Sequence, residues 1–241
     1  MKKNLLNTQE SIMHSTDFVK NIIEENAALF KASKLNVKKY FEEQPDQSHL
    51  VDHFIGRMVN EHMNFLEITA TLEKGVEDET ERKLLLKQAM DEARHTMLVR
   101  EVIEHIKGEK IDFDEAVRRE QELNTAKGAT LLEKYGAQED EAALAAYQLV
   151  AEGRAEAVWD QMADTIEDEF ISTRYRKIAR DEGFHSKIGA MKLAKLATTE
   201  SKQSQIMSIV NRMRKDLFDI SCANTTEAPG ARELVKEAYG W

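Results

Sequence analysis

Two short segments of the chain repeat an arrangement of carboxylates and a histidine. The segment DEARH covers residues 91–95, and the segment DEGFH covers residues 181–185. At this composition a Glu-x-x-His pair should occur roughly once by chance, but requiring Asp before the Glu lowers the expected number to roughly 0.05. Two copies therefore indicate a functional feature. A carboxylate and an imidazole one helical turn apart are a ligand pair for iron or manganese.

Both Glu–His pairs lie on the face of a predicted helix that should be buried. Apolar residues with 3-4 spacing run through each motif, and the Glu and the His fall within that stripe. The first stripe consists of Leu85, Gln88, Glu92, His95, Val99, Val102 and Ile106, and the second of Ile171, Tyr175, Ile178, Glu182, His185, Gly189 and Leu193. Because a buried carboxylate and imidazole are costly without a partner, two such clusters facing each other predict a bound metal.

The preceding helix of each half supplies one further carboxylate within an apolar stripe. Glu61 precedes Glu92 by 31 residues, and Glu152 precedes Glu182 by 30. Two helices of similar length joined by a short turn would bring each pair to the same height. We therefore predict that the metal ligands, and with them the catalytic residues, are Glu61, Glu92, His95, Glu152, Glu182 and His185.

Glu156 is a second carboxylate in the Glu152 stripe, and two interpretations stay open. It could be an additional ligand or a proton relay, or it could lie at the edge of the stripe and pair with Arg154 or a neighbouring helix. Gly183 and Gly189 are ambiguous in the same way. A glycine inside a helix could leave room for a substrate, or it could allow close helix packing.

The elements that must position these residues are long helices. Helix formers dominate the composition and only two prolines interrupt it, so an all-α protein is predicted. Long helices are expected at about 10–32, 48–74, 79–107, 139–167 and 169–197, with shorter ones within 108–138, at about 203–220 and at the C-terminus. Four central helices with one long connection in the middle are typical of a four-helix bundle with a single crossover. We expect one domain over residues 1–241, with its core bundle at about 48–197.

One Glu from each of two helices and one Glu-x-x-His from each of the other two resembles the pattern of the ferritin-like di-iron carboxylate superfamily. The resemblance implies a ferritin-like four-helix bundle, here with extra N- and C-terminal helices. It also implies that the residue before each motif Glu accepts a hydrogen bond from the opposite histidine. Asp181 would then orient His95, Asp91 would orient His185, and Arg94 would balance charge beside them.

Within that superfamily, RDEGFHSKIG (180–189) and LVAEGRAEAVWDQMADTIEDEF (149–170) are most similar to the aldehyde-deformylating oxygenases and to di-iron N-oxygenases and hydroxylases. Ferritins usually lack the second motif histidine, which is present here as His185. Rubrerythrins commonly carry a CxxC iron domain, which a single cysteine, Cys222, excludes. Arylamine N-oxygenases have a further histidine where this chain has Ile178, so arylamine oxidation is disfavoured.

The resemblance implies an O2-activating di-iron oxidoreductase, a non-haem oxygenase or oxidase acting on a small or lipid-like organic substrate. Its cofactors would be two iron ions, with manganese or a mixed Mn/Fe pair as alternatives, and O2 would be the co-substrate. No flavin or iron–sulfur motif is visible, so an external ferredoxin or reductase would donate electrons. We expect an apolar cavity for the substrate, walled by Phe65, Val99, Trp159 and Phe184.

Two rival functions are compatible with the same residues. The first is iron handling, as a ferroxidase or a peroxide-scavenging protein of the ferritin or rubrerythrin type, with no organic substrate. The second is a metal-free helical interaction protein in which the motifs form buried salt bridges. His49 and His53 are spaced as zinc ligands could be, but no third ligand is evident, and surface histidines are the simpler interpretation.

Charge and composition restrict the partners and the location. A net charge of −10 argues against binding to nucleic acid or to an anionic membrane. The sequence has no apolar run long enough for a membrane span or a signal peptide, and its single cysteine offers no disulfide framework. A cytoplasmic protein is therefore expected, and a homodimer is one assembly that the sequence allows.

Overall fold

A computed structural model describes residues 13–123 and 130–241, except for the side chain of Asn224. These residues form ten α-helices, a π-helical turn and no β-strand, so the all-α prediction is confirmed for them. The elements are α1 (Ser15–Glu42), α2 (Gln47–Lys74), α3 (Glu79–Lys107), α4 (Phe113–Leu123), α5 (Thr130–Lys134), α6 (Glu141–Tyr147), the π-helical turn (Gln148–Glu152), α7 (Gly153–Thr165), α8 (Glu169–Leu196), α9 (Glu200–Asn224) and α10 (Ala231–Tyr239).

The two helices that carry the repeated motifs begin and end at recognisable capping residues. The Asp78 side chain accepts hydrogen bonds from two backbone N–H groups in the first turn of α3, and Asp168 does the same for α8. Gly108 follows α3 in the left-handed conformation, with a φ of 73°, which glycine adopts without strain. These local signals explain why the predicted and observed bounds of α3 and α8 agree to within one residue.

Helix α2 pairs with α3, α7 pairs with α8, and α3 also packs against α8. Ion pairs at both ends show that α3 and α8 are antiparallel. Lys192 near the end of α8 binds Glu81 near the start of α3, and Arg174 near the start of α8 lies 2.8 Å from Glu101 near the end of α3. The two motifs therefore run in opposite directions, and the Asp of each comes to lie beside the His of the other.

The apolar core consists of two clusters, and the predicted site lies between them. Leu85 and Leu149 belong to one cluster, while Val99, Trp159 and Ile178 belong to the other. The site residues are on the same helices, at positions between these apolar residues. The stripes predicted from the sequence are thus buried, and a layer of polar side chains separates the two apolar parts of the core.

The structure differs from the sequence prediction at the ends and in the middle of several helices. Helix α1 continues to Glu42 rather than ending near residue 32. Its packed face extends past residue 32 because the polar residues Ser33 and Asn36 are buried there. Helix α9 is also longer than predicted, and the helix expected at 139–167 contains the π-helical turn. Residues 10–12, predicted as helix, lie outside the described residues. None of the described helices combines the length and the apolar character that a membrane crossing requires.

Candidate metal centre

The six predicted ligands come from four elements and meet in one buried cluster. All six are almost fully buried, and the most exposed of them, Glu61, is 6% exposed. The contributing elements are α2 with Glu61, α3 with Glu92 and His95, the π-helical turn with Glu152, and α8 with Glu182 and His185.

The ligand atoms fall into two overlapping groups, each compact enough to hold one metal ion. One group consists of Glu61, Glu92, His95 and Glu182, and the other of Glu92, Glu152, Glu182 and His185. Within each group, one ligand atom of every residue lies within 4.8 Å of the others. Glu92 and Glu182 belong to both groups, as carboxylates that bridge two ions would. Glu61 and Glu152 belong to one group each.

Each histidine is held between the carboxylates and an aspartate of the opposite motif. The Nδ1 atoms face the clustered carboxylates, at 3.2 Å for His95 and 3.0 Å for His185. On the other side of the rings, His95 Nε2 lies 3.4 Å from Asp181 and His185 Nε2 lies 3.2 Å from Asp91. Both contacts that the resemblance implied are present. They orient the rings so that Nδ1 is available as the ligand atom.

Arg94 joins the two aspartates. One of its Nη atoms lies 2.6 Å from Asp91 and 2.7 Å from Asp181. Burial alone would raise the pKa of Asp91, but hydrogen bonds from His185, Lys87 and Arg94 hold it below its usual range. The pKa of Asp181 is lowered in the same way by its histidine and by Arg94, against the effect of burial. Both aspartates are therefore ionised acceptors for the histidine N–H groups.

Both shared carboxylates have one oxygen that lacks a hydrogen bond. Glu92 Oε2 and Glu182 Oε1 are buried and have no hydrogen-bond partner within the described residues. His95 Nδ1 approaches them only to 3.5 and 3.4 Å. Because unpartnered buried carboxylate oxygens are costly, these atoms are where a cation fits best. Four carboxylates and two imidazoles suit iron or manganese, and the four negative charges would balance two divalent ions.

Without metal, the cluster retains protons that a metal ion would displace. Burial raises the pKa of Glu61 to about 8 and raises that of Glu152 well above its ordinary value. Burial also acts to raise the pKa of Glu92, but hydrogen bonds from the two histidines outweigh it and lower that pKa to about 2. Burial would lower the pKa of His95 and His185, but the surrounding carboxylates raise both. The metal-free cluster is thus held together by shared protons.

Sequence reasoning did not identify a pair of buried amides that supports Glu152. Gln88 Nε2 donates to Glu152 at 3.2 Å, and the Gln88 carbonyl accepts from Gln148 Nε2 at 2.7 Å. Gln88 stands in the predicted stripe one turn before Glu92, so a polar residue on a buried face was the available signal. Gln148 and Glu152 both belong to the π-helical turn. Such turns are rare and are frequently found at functional sites.

The structure favours the edge-of-stripe interpretation of Glu156 over that of an additional ligand. Glu156 lies outside both metal groups, and it is exposed. Its carboxylate covers Gly183 of α8, where an added Cβ would come within 2.5 Å of it. Of the two partners predicted for this interpretation, Arg154 or a neighbouring helix, Arg154 is not the one observed, because its guanidinium binds serine hydroxyls on α1 and α9 instead.

The predicted walls of the substrate cavity also need correction. Val99 and Trp159 are at most 1% exposed and belong to the core. None of the four residues predicted as walls lines the cavity of about 380 Å³ that lies between α1, α2, α7 and α9. Gly189 packs closely rather than leaving room, since a Cβ there would lie 2.5 Å from backbone atoms of α6 and the π-helical turn. His49 and His53 belong to no metal group among the described residues.

Comparisons with protein-family models, with curated proteins and with solved structures found no match to this chain. The assignment of the site therefore depends on its own geometry.

Proposed function

We propose that the chain is a ferritin-like di-iron oxidoreductase that uses O2 to oxidise a small organic substrate. The observation that carries the proposal is the pair of overlapping ligand groups that share Glu92 and Glu182. Their donor types and charge suit two divalent iron ions, and a manganese or mixed pair would suit them as well. Each of four helical segments supplies either one carboxylate or one Glu–His pair. This arrangement supports a ferritin-like four-helix bundle.

When bound, two iron ions supply the O2 binding and electron transfer that side chains lack. The residues of the chain have other tasks. His95 and His185 would hold the ions through Nδ1, and their Nε2–H groups donate to Asp181 and Asp91, which fixes the tautomer and raises ligand basicity. Hydrogen bonds from the histidines, and from Arg94 beside them, keep both aspartates ionised. The apolar clusters on either side of the ligand layer exclude water from it.

An organic substrate, rather than iron alone, is supported by the cavity of about 380 Å³ beside α2. Its size lies within the range of small-molecule sites, and Asn60, next to Glu61, is one of its lining residues. Electrons would come from an external ferredoxin or reductase, because the chain carries no motif for a second redox cofactor.

Anaerobic loading of the metal-free protein with Fe(II), followed by O2 addition with a chemical reductant, tests this function. We expect about two iron ions per chain and O2 consumption that stops in the Glu92→Ala variant. Glu73→Ala, an exposed carboxylate on the same helix as Glu61, is the matched control and should behave as the wild type. Failure to bind iron under any loading condition would show that the cluster is only a salt-bridged core.

The iron-handling rival predicts a different outcome from the same experiment. A ferroxidase would oxidise added Fe(II) well beyond the two bound ions, and it would form a large assembly on size-exclusion chromatography. Turnover of peroxide without an organic substrate would likewise favour that rival. Either result would replace the oxygenase proposal while keeping the metal ligands unchanged.

A further inference from the structure

The cavity of about 380 Å³ between α1, α2, α7 and α9 is lined by two arginines that form no ion pair within the described residues. Arg57 comes from α2 and Arg154 from α7. Neither forms an ion pair with a carboxylate in residues 13–123 or 130–241. Since a partly buried cation is costly without an anion, this pairing of two cations in one cavity requires an explanation.

Arg57 uses only part of its hydrogen-bonding capacity within the protein. Its Nε donates to Nε2 of His53 at 3.0 Å, and its guanidinium lies over the ring of Trp159, 5.1 Å from the centroid. Burial and the arginine charge hold the pKa of His53 well below its usual value, so that the ring is neutral and can accept this bond. The remaining N–H donors of Arg57 are available to the cavity.

Arg154 and Asn36 add further donors to the same space. Arg154 donates to the neutral hydroxyls of Ser33, at 3.0 Å, and Ser221. Asn36, one turn along α1 from Ser33, is 1% exposed, and its Nδ2 has no hydrogen-bond partner within the described residues. Its Oδ1 already accepts from a backbone N–H of the chain. The unmet groups in this cavity are therefore donors, which is the requirement of an anion site.

The remaining wall restricts which anion fits. Val37, Leu217 and Ile220 give the cavity an apolar side. Two carboxylates, Asp52 of α2 and Glu120 of α4, also lie on the wall of the cavity. Asp52 pairs with Arg119, which lies outside the cavity, at 3.5 Å. A ligand with one negative charge and a hydrocarbon body would match both the donors and the apolar side. A compact, highly charged ion would use only the donors.

We propose that this cavity binds a small organic acid, with its carboxylate held by Arg57, Arg154 and Asn36 and its hydrocarbon part against the apolar wall. The binding site rests on the unpartnered donors and does not require metal. That the bound acid is the substrate rests in addition on the proposed function, since Arg57 lies one turn from Glu61 on α2.

Calorimetric titration of the full chain, prepared without metal, with hexanoate and with hexan-1-ol separates the contribution of the charge. We expect saturable binding of hexanoate and binding of the alcohol that is weaker by roughly tenfold to a hundredfold, the value of one charge-assisted hydrogen bond. Arg57→Gln and Arg154→Gln should weaken hexanoate binding by a similar factor. Arg212→Gln, an exposed arginine on α9, removes the same charge outside the cavity and should leave binding unchanged.

Asn36→Asp tests the site without removing an arginine. The new carboxylate keeps the acceptor for the backbone N–H and replaces the unpartnered donor with an internal anion. It should therefore abolish hexanoate binding and raise the melting temperature of the ligand-free protein. The proposal would be overturned if hexanoate and hexan-1-ol bound equally, or if inorganic phosphate bound and hexanoate did not. It would also be overturned if Arg212→Gln lost as much binding as Arg57→Gln. If hexanoate binds but iron does not, the cavity stands and the oxygenase function fails; the reverse result removes only the cavity.

Discussion

Removal of a shared carboxylate should release both metal ions, whereas removal of an unshared one should release a single ion. Glu92 and Glu182 each belong to both ligand groups, while Glu61 and Glu152 each belong to one. Loss of a shared carboxylate would take a ligand from both ions. Three carboxylates would then remain to balance the four positive charges of two divalent ions. Loss of Glu61 reduces its own group from four ligands to three and leaves the other group complete.

The expected stoichiometry follows directly from this membership. Wild-type protein should bind about two iron ions per chain, Glu61→Ala and Glu152→Ala about one, and Glu92→Ala and Glu182→Ala close to none. The assay is elemental analysis by mass spectrometry after anaerobic reconstitution and removal of loosely bound iron. The metal-free variants should melt below the wild type, most of all Glu92→Ala, because that change removes the ionised carboxylate to which both histidines donate, but the two unchanged apolar clusters should keep them folded. Circular dichroism melts of each metal-free variant would establish this.

Equal metal content in all four variants would refute the reasoning, whether that content is high or low. High content throughout would mean that the carboxylates are not ligands. A uniform loss of both ions would mean that the ions bind only as a pair, so that sharing of Glu92 and Glu182 does not distinguish them from Glu61 and Glu152. Retention of about one ion in Glu92→Ala together with loss of both in Glu61→Ala would reverse the assignment of the bridging residues.

Three further predictions concern the surroundings of the cluster. Asp91→Asn should weaken iron binding by about tenfold to a hundredfold, because His185 loses its ionised acceptor; competition with a chelator measures this. Gly189→Ala should lower the free energy of unfolding by about 1–3 kcal/mol in urea titrations, since the new Cβ would lie 2.5 Å from the backbone oxygen of Ala145. The metal-free protein should lose thermal stability as the pH rises from about 4.5 to about 8. In that window the buried Glu61, with its pKa raised to about 8, binds more protons in the folded chain than in the unfolded chain.

Each of these predictions has a matched control. Asp160→Asn changes a half-exposed aspartate on α7 whose ion-pair partner is Lys34, at 3.5 Å, rather than a histidine, and it should leave iron affinity unchanged. Gly183→Ala meets only the movable carboxylate of Glu156 and should cost less than Gly189→Ala. Iron-loaded protein should lose the decline in stability toward pH 8, because the metal replaces the proton on Glu61. A decline that persists unchanged after loading would contradict the assignment of Glu61 as a ligand.

The sequence alone was sufficient to predict the all-α class, the bounds of α3 and α8, and the six clustered residues. These features depend on local information. Helix caps such as Asp78 act on their own first turn, and a 3-4 stripe shows which side of a helix is buried whatever it packs against. A carboxylate in such a stripe must find a partner, so Glu61 and Glu152 could be recognised before any packing was known.

Only the tertiary structure decided how the remaining polar groups are used. Glu156 and Glu152 stand in one stripe, but the Glu156 carboxylate lies over Gly183 and outside both ligand groups. Arg57 and Arg154 are 97 residues apart in sequence and belong to different helices. They meet in one cavity because α1 and α9 pack against α2 and α7. No local periodicity carries that information, because which of the described side chains meets an acidic partner depends on the assembled fold.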